Sequence, residues 1–68
     1  MYGFEELVMR ILRIKVVSEI TGLARSTVYK YIAEGIFPKP ISLGGRCVGW
    51  LECEVHAWIQ SRVVERNQ

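Results

Sequence analysis

The sequence predicts a mainly α fold that carries a small β-hairpin. Three observations predict it. Apolar residues recur at helical spacing around positions 16–20, 28–32 and 55–63. Between the second and third of these runs, Ile41 and Leu43 alternate with Ser42, and Val48 and Trp50 with Gly49, on either side of Gly44-Gly45-Arg46. Gly22 and Gly35 fall where the first two helical patterns stop. A length of 68 residues indicates a single domain, 1–68, in a size range where folding buries roughly 60% of the unfolded chain's surface. The hydrophobic fraction of 50% is ample for a small core, and two tryptophans can dominate it.

The first ten residues read as a loosely attached lead-in. Phe4, Leu7, Val8, Ile11 and Leu12 follow helical spacing with Glu5 and Glu6 near a helix start, while Arg10 to Ile14 reads equally as a short strand. A short helical lead-in followed by a brief extended segment is expected. Lys15 to Thr21 then carries Val16, Val17 and Ile20 as a one-sided stripe, with Glu19 on the wet side. Gly22 closes this helix and Leu23 folds back against it.

Arg25 to Glu34 is the second helix, with Val28, Tyr31 and Ile32 as its inward stripe. With Val28 at the origin and about 100° per residue, Ser26 falls near 160° and Lys30 near 200°, directly away from the core. Thr27 and Tyr29 occupy the shoulders, and Arg25 stands at the helix start. Two short helices joined by a glycine-marked turn are the outline of a helix-turn-helix, in which the second helix enters a DNA groove.

Gly35 stops that helix, and Phe37-Pro38-Lys39-Pro40 makes a stiff extended connector, since neither proline can donate to a ladder. In the hairpin that follows, residues 41–50, the apolar side chains are expected to pack on the helices and Arg46 to be carried out at the tip. That is the wing of a winged helix-turn-helix, where an arginine meets the minor groove or the backbone. Gly-Gly-Arg lacks the length and the Lys-Ser/Thr ending of a phosphate-binding loop, so nucleotide binding is rejected. Glu52 to Arg66 closes the chain as an amphipathic helix with Val55, Trp58, Ile59, Arg62 and Val63 along one stripe.

The charge distribution points to nucleic acid. The net charge is +2, but Arg10 to Arg46 holds seven cations (Arg10, Arg13, Lys15, Arg25, Lys30, Lys39, Arg46) against Glu19 and Glu34, a local +5. The flanks hold Arg62 and Arg66 against Glu5, Glu6, Glu52, Glu54 and Glu65, a local −3. One face for phosphates and another for solvent or protein fits this division. Other classes find little support. The lone His56 lies off the apolar stripe with no nucleophile or carboxylate placed around it, and a chain this short has little room for a catalytic pocket, so no enzyme is expected. Cys47 and Cys53 lack the spacing and the further ligands of a metal site and read as small, semi-buried thiols in a reducing, cytoplasmic setting. No cofactor is expected. The site residues predicted are Arg25, Ser26, Thr27, Tyr29 and Lys30 on the recognition helix, with Lys39 and Arg46 as anchors.

From Ile11 to Arg62 the chain resembles the AlpA family of small prophage-associated DNA-binding regulators, close to excisionases and to the winged-helix head of the MerR group. The resemblance is carried by Leu12-Arg13 with Lys15-Val16, by Gly22-Leu23 with Arg25-Ser26-Thr27-Val28-Tyr29, and by Glu34-Gly35 with Phe37-Pro38-Lys39-Pro40. It continues through Leu43-Gly44-Gly45-Arg46 and Val48-Gly49-Trp50-Leu51 to Glu54-Val55 with Ala57-Trp58-Ile59. It implies a winged helix-turn-helix that binds double-stranded DNA of phage or mobile elements, as a transcriptional regulator or as an accessory factor bending DNA for excision. A footprint this small reads few base pairs, so a homodimer or adjacent copies on DNA are expected. The alternative from another class is a protein-interaction module whose acidic C-terminal helix contacts an integrase or RNA polymerase. Three residues depart from the family pattern. Ala24 stands where a serine would cap the recognition helix, Cys53 where a small hydroxyl would cap the last helix, and His56 in place of an acidic residue.

Overall fold

The computed structural model describes residues 9–66. In chain order they form β1 (Ile11–Leu12), α1 (Ile14–Thr21), α2 (Arg25–Ala33), β2 (Ile41–Gly44), β3 (Cys47–Leu51) and α3 (Glu52–Arg66). Three helices and a small antiparallel sheet of order β1-β3-β2 make the expected winged helix-turn-helix. β1 is the expected extended segment; the helical lead-in expected before it falls on residues 1–8, outside the described residues.

Each of six segments sends one apolar side chain into the core: Leu12 from β1, Val17 from α1, Val28 from α2, Phe37 from the connector, Trp50 from β3 and Val55 from α3. Ile14, Leu23, Tyr31, Ile32, Val48, Trp58 and Ile59 close around them, partly buried. For α1 this differs from the expected stripe. Val17 is fully buried, but Val16 and Ile20 are 37% and 39% exposed. The helix starts one residue earlier than expected and turns Ile14, Val17 and Thr21 inward, at i, i+3 and i+7. Thr21 ties its end down: its hydroxyl donates to the Val17 carbonyl at 2.8 Å and accepts from the Leu23 N–H at 3.2 Å. The Ser18 hydroxyl donates to the Leu23 carbonyl at 2.6 Å, so both hydroxyls clamp the turn. Gly22 sits there at φ 77°, the left-handed region expected of it.

α2 begins at Arg25 after Ala24 and ends at Ala33, one residue short of the expected bound, with Glu34 as its cap. Gly35, at φ 78°, lets its N–H bond the Ile32 carbonyl while the Ile36 N–H bonds the Tyr31 carbonyl. That pair of bonds is a Schellman stop.

The connector after it is held by both tryptophans. The Trp50 Nε1–H donates to the Pro38 carbonyl at 2.9 Å, and the Trp58 Nε1–H donates to the Ile36 carbonyl. Phe37 meets the Trp58 ring edge-on, with centroids 4.8 Å apart. Its path is therefore set by side-chain anchors as well as by its prolines.

In the sheet Ile11 pairs with Leu51 and Leu12 with Trp50, while Ile41 pairs with Gly49 and Ser42 with Val48. Residues directly opposite share a face. Trp50, Leu12 and Val48 take the inner face, which leaves Ile41 and Leu43 on the outer one beside Ile11. This corrects the expectation that they pack on the helices: Ile41 is 38% and Leu43 44% exposed. Gly49 is buried beneath Ile11 and Leu43.

α3 keeps its expected bounds and follows β3 without a loop. Its first N–H, from Glu52, donates to the Arg10 carbonyl at 2.8 Å, and Arg10 and Glu52 also pair as ions at 3.3 Å. Cys53 therefore lies inside the first turn and not at a cap position, contrary to the family pattern read from the sequence. Both cysteines are exposed, not semi-buried, because one opens the outer end of β3 and the other faces out from α3. His56 is exposed, as expected.

Candidate nucleic-acid interface

α2 presents the outward face its sequence implied. Val28 is fully buried, and Arg25, Ser26, Tyr29 and Lys30 are exposed, with Thr27 half-buried on the shoulder. Ala24 makes no side-chain cap bond and no acidic residue occupies the first turn, so the opening amides of α2 keep their positive end uncovered. Arg25 stands at that same end. Such an end, with a guanidinium beside it, suits a phosphate.

Lys39 and Arg46 are exposed as well. Lys39 follows Pro38, whose carbonyl is bonded to Trp50. Arg46 sits in the two-residue turn between Gly44 and Cys47, which pair across the hairpin. Among the described residues the ion pairs are Arg10–Glu52 and Arg62–Glu65, and neither uses a predicted site residue.

What gathers these groups is Trp50. Its indole is fully buried, its N–H holds the connector next to Lys39, and Tyr29 lies against it with ring centroids 6.3 Å apart and planes inclined at 59°. Tyr29 and Lys39 thus share one support. Arg46 is four positions away along β3, about 13 Å in an extended strand, so it marks the far end of the surface. From the sequence, Trp50 is a core candidate and an apolar residue of the hairpin, with no tie to the connector or to Tyr29. The available signal was chemical: a buried indole needs an acceptor for its N–H, and the connector carbonyls supply it. Arg13 and Lys15, exposed at the start of α1, add cations that entered the sequence reading only through the charge count.

Among the described residues no group of three or more His, Cys, Asp or Glu side chains could hold a metal ion, and no helix is long and apolar enough to cross a membrane.

The family model described as prophage CP4-57 regulatory protein (AlpA) matches residues 10–63. The DNA-binding transcriptional activator AlpA of Escherichia coli (strain K12) is 38% identical over 60 residues, covering 79% of this chain and 86% of that protein. A protein of Enterobacteria phage P4 described as uncharacterized protein ORF88 is 46% identical over 59 residues, covering 87% of this chain and 67% of the relative. No solved structure matches significantly.

Proposed function

The chain belongs to the AlpA family of prophage regulatory proteins, and on that premise we propose that it is a non-enzymatic, sequence-specific DNA-binding regulator of prophage or mobile-element genes. α2 lies in the major groove. Ser26, Thr27, Tyr29 and Lys30 meet base edges and nearby phosphates, and Arg25 and the opening amides of α2 hold a phosphate. Lys39 and Arg46 anchor the backbone, with the hairpin tip at the minor groove.

One observation carries this reading: α2 buries Val28 completely while leaving Arg25, Ser26, Tyr29 and Lys30 exposed on an uncapped, acid-free helix. A merely solvated helix more often carries Glu/Lys pairs four apart. So small a surface reads few base pairs, and the protein binds as a dimer or as adjacent copies on repeated sites, with affinity falling steeply as salt rises.

Genome-wide mapping of bound sites, followed by band shifts on the recovered DNA, tests the proposal. Enriched sites at promoters, with binding lost in Lys30→Ala and Arg46→Ala, support regulation. Sites confined to recombination ends support the excision role of the same surface. If both variants shift the recovered DNA as well as the wild type does, the assignment is wrong.

A further inference from the structure

The sheet carries apolar side chains on both faces. The inner face holds Leu12 and Trp50 against the helices. On the outer one Ile11 is paired opposite Leu51 and Ile41 opposite Gly49, and Ile11 and Leu43 lean over Gly49 from either side. Ile11, Ile41 and Leu43 remain 39%, 38% and 44% exposed, and none of the strand residues is charged. A sheet with one wet face ordinarily turns polar side chains toward the water. Here β2 does the reverse, with Ile41 and Leu43 outward and Ser42 on the face of its partner Val48.

We propose that this outer face is where a second copy of the chain docks, face to face and related by a twofold axis, when two copies occupy neighbouring DNA sites; the proposal rests on the DNA-binding reading and names the surface that joins the copies. Tyr29 of α2 rests on the inward-pointing Trp50, so the outer face looks away from α2. With α2 in the major groove and Arg46 at the adjoining minor groove, the direction from α2 through the sheet runs along the duplex. The outer face therefore meets whatever is bound at the next site.

An uncharged apolar face offers a charged partner nothing, whereas its own twofold copy presents the same surface and is self-complementary. Pairing by strand edges is disfavoured: Pro40 directly precedes β2, and the register is irregular between Ser42 and Gly44, both of which blunt the sheet's free edge. The exposed area is on the order of a few hundred Å² per copy, against roughly 800 Å² per partner in a standard stable complex. Free copies therefore stay apart in dilute solution. A duplex that holds two of them side by side supplies the effective concentration that closes the contact. Twofold symmetry sets the two sites as an inverted repeat with the hairpins toward each other.

Two measurements test this. Without DNA, a mixed sample of differently labelled copies at millimolar concentration should show nuclear Overhauser contacts from the Leu43 methyls of one copy to the Ile11 and Ile41 methyls of the other, fading on tenfold dilution. On an inverted pair of mapped sites the wild type should bind with at least tenfold cooperativity, and Ile41→Thr/Leu43→Thr should lose it while keeping single-site affinity within twofold. The proposal is overturned if these methyls make contacts only within one copy, or if the double variant is as cooperative as the wild type. The contacts between copies are read with no variant and no DNA, so their absence contradicts the docking face alone, whereas wild-type protein that binds no single site contradicts the DNA-binding reading.

Discussion

Tyr29 of α2 rests against Trp50 of the central strand, ring centroids 6.3 Å apart, while the same indole bonds the carbonyl of Pro38. Helix, hairpin and connector thus meet at one buried side chain, and the orientation of the proposed DNA-facing surface depends on it. Trp50→Ala should lower stability by about 3–5 kcal/mol, a large share of the roughly 5–15 kcal/mol typical of a domain. Trp50→Phe keeps an aromatic support for Tyr29 but loses the bond to Pro38, at about 1 kcal/mol plus the missing volume. Urea unfolding followed by circular dichroism measures both, and the order wild type, Phe, Ala is expected.

Ala24 is the uncapped start of α2. Its backbone is extended, at φ −66° and ψ 153°, the conformation a capping serine needs. Ala24→Ser should therefore raise stability by about 1 kcal/mol, seen as a higher urea midpoint with an unchanged slope.

Gly49 lies under two side chains of the outer sheet face. A Cβ there would collide with the Ile11 Cγ2 and come within 3.1 Å of the Leu12 carbonyl oxygen and 3.2 Å of the Leu43 Cδ1. Leu43 can swing away, but the β1 backbone cannot without losing its pairing to β3. Gly49→Ala should lower stability by about 1–3 kcal/mol, comparable to overpacking in a core. Thermal unfolding checks it, with Gln60→Ala on the exposed side of α3 as a near-neutral control.

Lys39 and Arg46 anchor phosphates in the proposed complex, and phosphate contacts weaken all sequences alike when removed. Lys39→Ala and Arg46→Ala should lower affinity for the specific site and for random duplex by similar factors. Each should also reduce the slope of log affinity against log salt by about 1. Fluorescence anisotropy across a salt series measures that slope.

The helices were legible where one residue type settles an end. Gly22 and Gly35 marked the stops of α1 and α2, and the stripe from Val55 to Val63 defined α3 at both bounds. Val28, Tyr31 and Ile32 gave α2 its rotation, so its outward face could be read too. α1 was harder because Ile14, Val16, Val17 and Ile20 are all apolar, and periodicity alone does not say which of them the core takes. β2 misled for a related reason. Ile41 and Leu43 alternate as a buried strand should, but their face is decided by register against Gly49 and Val48, a non-local fact. The two indole bonds to the connector, 12 and 22 positions apart in sequence, are non-local in the same way. For the proposed interface, the exposure of Arg25, Ser26, Tyr29 and Lys30 was readable, whereas the support of Tyr29 on Trp50 was not.

In the proposed complex the outward face of α2 distinguishes one DNA sequence from another. The most direct measurement is the ratio of affinities for a mapped site and a scrambled duplex, at one salt concentration, for the wild type and for Ser26→Ala/Lys30→Ala. Neither side chain belongs to the core, so folding should be retained. The double variant should lose at least tenfold in this ratio, about 1.4 kcal/mol of discrimination, while its affinity for scrambled DNA falls far less. A ratio unchanged within twofold would contradict it and move recognition away from α2.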